Sequence, residues 1–133
     1  MKALVVTHTE SEGPGLLESW LPAEGLGLEV VSPWRGEALP SSLDGYAALV
    51  VMGGPQAAYD GSLPWELGTL GLLRSGVSAA LPTLGICLGA QLLAVACGGR
   101  VAPGSLGPEL GAGLVAKRDV AGADPLFWDL PLS

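Results

Sequence analysis

A cysteine between two glycines is the feature of this sequence best suited to chemistry. Cys87 lies in residues 85–89 (GICLG), between one apolar run that ends at Ile86 and another that begins at Leu88. We interpret the segment as a strand, a tight turn with Cys87 at its apex, and a helix. A nucleophile on such a turn sits in strained backbone where bulky neighbours would clash, which accounts for Gly85 and Gly89.

The predicted turn places the Cys87 thiol at the N-terminus of the helix that Leu88 opens. That end of a helix carries partial positive charge and free N–H groups, which stabilise a thiolate and an oxyanion formed nearby. Glycine-rich patterns of five residues also recur by chance. From this motif alone, a small buried cysteine in an ordinary connection is an equal alternative to a nucleophile.

Four apolar runs define the elements that must position this cysteine. The runs predict buried parallel strands, and they cover residues 3–6, 28–31, 47–52 and 81–86. Helical patterns lie between them, and these carry two apolar sets: Leu16, Leu17, Trp20 and Leu21, then Leu67, Leu70 and Leu73 after Ser62 and Pro64. Alternating strands and helices predict a doubly wound, mostly parallel α/β sheet, in which sites form at the carboxyl ends of strands. Gly53-Gly54 and Cys87 both follow such ends.

Composition excludes several functional classes. The chain has 133 residues, a net charge of −7 and only six scattered basic residues, which argues against a nucleic-acid surface. Cys87 and Cys97 lack the spacing of a disulfide or zinc framework. Neither a metal nor another cofactor is expected, and Cys97 is predicted to lie in the core.

Two segments could suggest a membrane or export. No charged residue lies between Arg74 and Arg100, but Pro82, several glycines and Gln91 favour a buried strand and helix over a membrane span. The apolar run after Met1 is too short for a secretory signal. We therefore expect no membrane association and take the cytoplasm as the default location.

Residues 50–101 closely resemble the class I glutamine amidotransferase domain, through the Gly-Gly-Pro loop at 53–55 and the sequence GICLGAQLLA at 85–94. His8 and the segments 12–15 (EGPG), 106–111 and 124–127 are similar to its stand-alone, GMP-synthase-like members. The resemblance implies one domain over residues 1–133 with a flavodoxin-like, three-layer α/β/α fold. It also implies that the last strands and closing helix of the family fold are missing.

The resemblance implies roles for individual residues. Cys87 would attack the side-chain amide of glutamine, giving a thioester and ammonia, and the N–H groups of Gly54 and Leu88 would form the oxyanion hole. Gln91 would bind the amino-acid end of the substrate, and Gly53 and Gly89 would also contribute to substrate binding. For Gln91, the structural alternative is an amide held by neighbouring backbone, because a buried amide must find hydrogen-bond partners.

The sequence departs from the family at the catalytic base. The His-x-Glu segment that supplies the family's histidine and glutamate downstream of the cysteine is absent, and no histidine follows Cys87. His8 is the only histidine, and a loop residue without a catalytic role is favoured there over a substitute base. Glu109 is interpreted as a solvated loop carboxylate, and Phe127 and Trp128 are expected to cover core left open by the truncation.

Two hypotheses about function remain open. In the first, the chain is a glutamine amidotransferase domain, inactive alone because its triad is incomplete, that is completed from elsewhere and passes ammonia to a synthase partner. In the second, it is a non-catalytic binding or assembly module on the same fold. More distant alternatives are the cysteine-elbow peptidases and chaperones. In the first two cases we expect glutamine as the ligand and a homo-oligomer.

Overall fold

A computed structural model describes residues 1–61, 63–105, 107 and 111–131, which form two compact units, residues 1–102 and 103–133. The first unit contains the sheet and the helices. Its strands are β1 (Lys2–Val6), β2 (Gly27–Val31), β3 (Ala48–Val51) and β4 (Thr83–Gly85). Its helices are α1 (Leu17–Ala23), α2 (Glu66–Ser78) and α3 (Leu88–Ala96), with a 3-10 turn at Pro33–Arg35. That residues 1–133 form a single domain stays a prediction.

The four strands form one parallel sheet in the order β2-β1-β3-β4. Alternate side chains of β1 and β3 point to opposite faces, as the strand period requires. On one face Val5 and Val50 pack with Leu17 of α1, whereas on the other Leu4 and Leu49 pack with α2 and α3. Helices therefore cover both faces, and the predicted doubly wound, flavodoxin-like α/β fold is confirmed.

The first helix buries less than its sequence pattern predicted. Leu17 packs against the sheet, but Trp20 is 57% exposed and Leu16 is also exposed. Helix α1 has only seven residues and contains Pro22, so it offers about two turns to the sheet. Leu16 lies at the N-cap, before the helix begins, and no residue of α1 is fully buried.

The second helix is present, but one of its predicted inward residues is wrong. Leu70 and Leu73 are buried, whereas Leu67 is 80% exposed. The buried face of α2 is centred on Thr69 and Leu73, and at about 100° per residue Leu67 lies almost opposite that centre. Ser62, expected at the start of this helix, lies outside the described residues.

The second unit, described at 103–105, 107 and 111–131, contains a 3-10 helix at Asp119–Ala123 and no α-helix or strand. The Lys117 ammonium donates hydrogen bonds to the carbonyl oxygens of Trp128 at 3.0 Å and Leu130 at 2.6 Å. Phe127 and Trp128 are 45% and 60% exposed, so the expectation that they cover core is wrong. Glu109 and most of segment 106–111 lie outside the described residues.

Within the described part of the chain, no helix combines the length and the apolar character needed to cross a membrane.

Candidate active site

The predicted turn at Cys87 is confirmed. Strand β4 ends at Gly85, helix α3 begins at Leu88, and Cys87 is the residue that caps the helix N-terminus. Its backbone has φ of 53° and ψ of −110°, a combination that residues with a side chain rarely adopt. The turn leaves Cys87 exposed while Leu88 is buried beneath it. A strained, exposed cysteine at a helix N-terminus is the geometry expected of a nucleophile.

The glycines on either side of Cys87 let the helix approach the sheet closely. A Cβ at Gly89 would overlap the carbonyl group of Val51 in β3, and one at Gly85 would lie 2.5 Å from the carbonyl oxygen of Gly89. The Gly89 N–H donates to the carbonyl oxygen of Met52 at 3.1 Å, which ties the first turn of α3 to the end of β3. Both glycines are therefore required by packing as well as by the turn.

The loop after β3 lies beside the cysteine because β3 and β4 are neighbouring strands. The position where a Cβ at Gly53 would stand is 3.4 Å from the Cys87 Cβ, and the corresponding position at Gly54 is 3.1 Å from the Leu88 Cδ2. The predicted close approach of the Gly-Gly loop and the turn is confirmed. Among described residues, the N–H groups of Gly54 and Leu88 donate to no protein acceptor.

Gln91 lies one turn into α3, and its side chain is held by the protein. Its Oε1 accepts a hydrogen bond from the Ala58 N–H at 3.1 Å, while its own N–H donates to the Cys87 carbonyl oxygen at 3.1 Å. The first contact is the backbone partner that the structural alternative required. It also ties α3 to the loop that follows Gly53-Gly54, and a role for Gln91 in substrate binding stays a prediction.

His8 lies in the loop that follows β1, as expected, but it is buried there and only 1% exposed. Its Nδ1 accepts a hydrogen bond from the Trp65 indole N–H at 3.0 Å. Burial lowers the pKa of His8 from 6.5 to about 4, so the imidazole is neutral near pH 7. With Nδ1 accepting, Nε2 carries the proton, and this buried atom has no partner among the described residues.

His8 nevertheless touches the candidate site through its Cβ, which lies 2.9 Å from the position of a Cβ at Gly54. Its carbonyl oxygen also accepts a hydrogen bond from Gln56 Nε2 at 3.4 Å. The described residues include no hydrogen bond between His8 and Cys87. His8 thus packs against the Gly-Gly loop through its Cβ.

One residue beside the site was not identified as functional from the sequence. In the sequence, Glu12 was considered only as part of the EGPG segment. In the structure, its Oε2 contacts the space above Gly53, next to Cys87. Both segments follow neighbouring parallel strands, β1 and β3, so their proximity was predictable in outline. The direction of the Glu12 side chain was not.

Cys97 does not lie in the core, where it was expected. It is exposed and caps the C-terminus of α3. An apolar helix pattern that runs to its last residue does not reveal where the helix leaves the core. The described residues contain no group of three or more His, Cys, Asp and Glu side chains that could hold a metal ion.

Comparison with known proteins identifies the family. Residues 23–124 match the family model described as glutamine amidotransferase class-I. The chain belongs to the class I glutamine amidotransferase family. The matched range includes β2, β3, β4, α2 and α3, together with Gly53, Gly54 and Cys87.

Individual members of the amidotransferase family show the same similarity. The chain is 32% identical to the glutamine amidotransferase-like protein YfeJ of Salmonella typhimurium strain LT2 over 110 residues, which are 76% of this chain and 44% of YfeJ. It is 36% identical to the GMP synthase [glutamine-hydrolyzing] of Pelodictyon phaeoclathratiforme over 86 residues, or 63% of this chain and 15% of that protein.

A solved structure of a glutamine amido transferase from Methylobacillus flagellatus superimposes with a TM-score of 0.73 at 36% identity. The aligned region is 78% of this chain and 41% of that one. The chain therefore spans less than half the length of YfeJ and of the Methylobacillus enzyme.

Proposed function

We propose that this protein binds glutamine at the Cys87 turn, with the cysteine positioned to attack the side-chain amide. The observation that carries the proposal is the arrangement around one small space. An exposed cysteine in strained backbone, the N-terminus of α3 and the close-packed Gly-Gly loop all face it. Attack on the amide carbon would form a carbon–sulfur bond, and the N–H groups of Gly54 and Leu88 are free to stabilise the resulting oxyanion.

Among the described residues, no histidine forms a hydrogen bond with Cys87 that would serve the acid–base part of the reaction. Cleavage of the carbon–nitrogen bond requires a proton for the leaving ammonia, which a histidine commonly supplies. The only histidine, His8, is buried, neutral and hydrogen-bonded to Trp65. A polypeptide of this sequence is therefore proposed to bind glutamine but to release ammonia very slowly.

The second function, a binding or assembly module on the amidotransferase fold, is supported by the same state of His8, which is buried and hydrogen-bonded to Trp65. In the first function, a base from another polypeptide completes the site and the ammonia passes to a synthase, as the similarity to a glutamine-hydrolysing GMP synthase suggests. Both functions share glutamine as the ligand and differ in whether a thioester forms.

Covalent trapping tests binding and thioester competence together. A diazoketone analogue of glutamine, which alkylates a cysteine placed against the side-chain carbonyl position, should label Cys87 and spare Cys97. Glutamine should slow the labelling, whereas Cys87→Ser should abolish it. Labelling of both cysteines at equal rates, unaffected by glutamine, would reject this site.

A further inference from the structure

Glu12 places a carboxylate against the same small space as Cys87. The position where a Cβ at Gly53 would stand contacts the Glu12 Oε2 on one side and is 3.4 Å from the Cys87 Cβ on the other. A single methyl group on Gly53 would therefore touch both side chains. The Glu12 carboxylate and the Cys87 side chain therefore border the same position above Gly53.

Within the part of the chain that the structure describes, the Glu12 carboxylate forms no ion pair and no hydrogen bond. The ion pairs of the described residues join Lys2 to Glu29 and Arg35 to Glu37, and neither pair involves Glu12. Glu12 is exposed, and no described side chain donates a hydrogen bond to it. An ionised carboxylate accepts hydrogen bonds and donates none, so its complement is a cationic donor such as an ammonium group.

The proposed substrate carries one such group at a suitable distance. In extended glutamine the α-nitrogen lies about 5 Å from the side-chain amide carbon, given bonds of about 1.5 Å. An amide carbon poised roughly 3–3.5 Å from the sulfur would leave the ammonium group within reach of a carboxylate across that space. We propose that Glu12 binds the α-ammonium group of the substrate and so selects γ-amides with a free amine.

This inference rests on the proposed function, and it differs from a purely structural role for Glu12. A residue that only supports the Gly53 loop would, when changed, weaken every ligand of the site to the same extent. A residue that binds the ammonium group would weaken only the ligands that carry it. Glutaramate, which is glutamine without the α-amino group, separates the two roles.

The experiment measures how strongly each ligand protects Cys87 from iodoacetamide, read by peptide mapping. In the wild-type protein, glutamine should protect at concentrations roughly 10–100 times lower than glutaramate, the range expected for one charge-assisted hydrogen bond. Glu12→Gln should remove that preference and leave glutaramate unchanged. Glu12→Asp should keep part of it, while Glu10→Gln, a change in the same exposed loop, should behave as wild type.

Several results would overturn the inference. One is equal protection of the wild-type protein by glutamine and glutaramate, which needs no variant. Another is a Glu12→Gln protein that weakens both ligands equally, as would a loop support, or that weakens neither. If glutamine fails to protect wild-type Cys87 at all, the proposed function itself is rejected and the inference falls with it.

Discussion

Cys87 and Cys97 cap opposite ends of the same helix, α3, and both are exposed. The N-terminus of a helix stabilises negative charge and the C-terminus disfavours it, so the two thiols experience opposite effects of the same dipole. Because the thiolate is the reactive form, the pair provides an internal comparison within one protein.

We therefore expect iodoacetamide to alkylate Cys87 faster than Cys97, by several-fold at low ionic strength and by less in high salt. Peptide mapping after short exposure measures both rates in one sample. Because both cysteines are in the same sample, the reagent concentration, the reaction time and the protein concentration are identical for the two rates. Equal rates, or faster alkylation of Cys97, would contradict the assignment of Cys87 as the nucleophile.

His8 makes a separate contribution at this scale, to stability. Its pKa is lowered to about 4 in the folded protein by burial, against 6.5 for an unperturbed histidine. Between those values the unfolded chain binds a proton that the folded protein does not. The contribution of neutral His8 to the free energy of unfolding is therefore fully present above pH 6.5. It decreases as the pH falls toward 4, by roughly 1–3 kcal/mol.

The matched variant is His8→Asn, whose Oδ1 can accept the Trp65 indole N–H in place of Nδ1 but does not titrate. Urea unfolding from pH 7 to pH 4.5 should show a steeper loss of stability for wild type than for the variant. Carboxylates such as Glu29 and Glu37, whose pKa values are lowered by their partners, titrate in both proteins and cancel. Parallel pH profiles would contradict the buried, neutral His8.

The turn between β4 and α3 depends, as an element, on two glycines that pack against backbone. A side chain at Gly89 would overlap the Val51 carbonyl, and one at Gly85 would overlap the first turn of α3. Neither neighbour is a flexible side chain that could move aside. The cost of added volume must then be a displacement of α3 from the sheet.

Gly89→Ala is expected to destabilise the protein by about 2–3 kcal/mol, despite the higher helix propensity of alanine. Gly71→Ala in α2 is the control, because a Cβ there meets nothing within 4 Å. That change should be neutral or stabilise by up to about 1 kcal/mol. Urea unfolding measures both, and equal effects of the two substitutions would reject the close packing of α3 on β3.

The elements themselves were largely predictable from sequence, and their depth of burial was not. Continuous apolar runs located β1 and β3, the two central strands, since a strand covered on both faces needs no polar alternation, and mostly apolar segments located β2 and β4. The position of Leu67 was wrong because spacing alone did not identify which face of α2 meets the sheet. Glu12 was missed because its contact with the Gly53 loop depends on side-chain direction in a loop.

Exposed apolar side chains are concentrated in the second unit of the molecule. The large apolar residues exposed there are Leu114, Val115, Val120, Leu126, Phe127, Trp128 and Leu130. Soluble monomers rarely expose extended apolar surface of this kind. Surfaces of this kind are typical of association sites, and the homo-oligomer expected from the sequence stays a prediction.

We expect the protein to sediment as a dimer or larger species at micromolar concentration. Replacing Phe127 and Trp128 by serine should shift it toward monomer, because the largest apolar side chains contribute most to association. Trp20→Ser is the control, since this tryptophan is equally exposed but lies in the first unit. A wild-type monomer at these concentrations would refute the prediction.

Catalysis is the property that depends on the whole polypeptide, because the turn alone supplies only part of the chemistry. The turn and the Gly-Gly loop provide a nucleophile and hydrogen-bond donors. No histidine follows Cys87 in this sequence, however, and His8 accepts a hydrogen bond from Trp65. General acid–base assistance is typically worth about 10²–10⁴-fold in rate. We therefore expect ammonia release from glutamine to be at least about a hundredfold below an ordinary turnover of roughly 10 per second.

An ammonia assay on the purified 133-residue polypeptide, with glutamine protection of Cys87 measured in parallel, checks this expectation. Protection without turnover is the expected result, because binding requires only the preformed space while release requires a proton donor. Ordinary turnover that Cys87→Ser abolishes would contradict it. If His8→Asn also abolished that turnover, His8 would be the missing base and its hydrogen bond with Trp65 would have to open during the reaction. Turnover unaffected by either substitution would come from a contaminating enzyme and would leave the predicted inactivity standing.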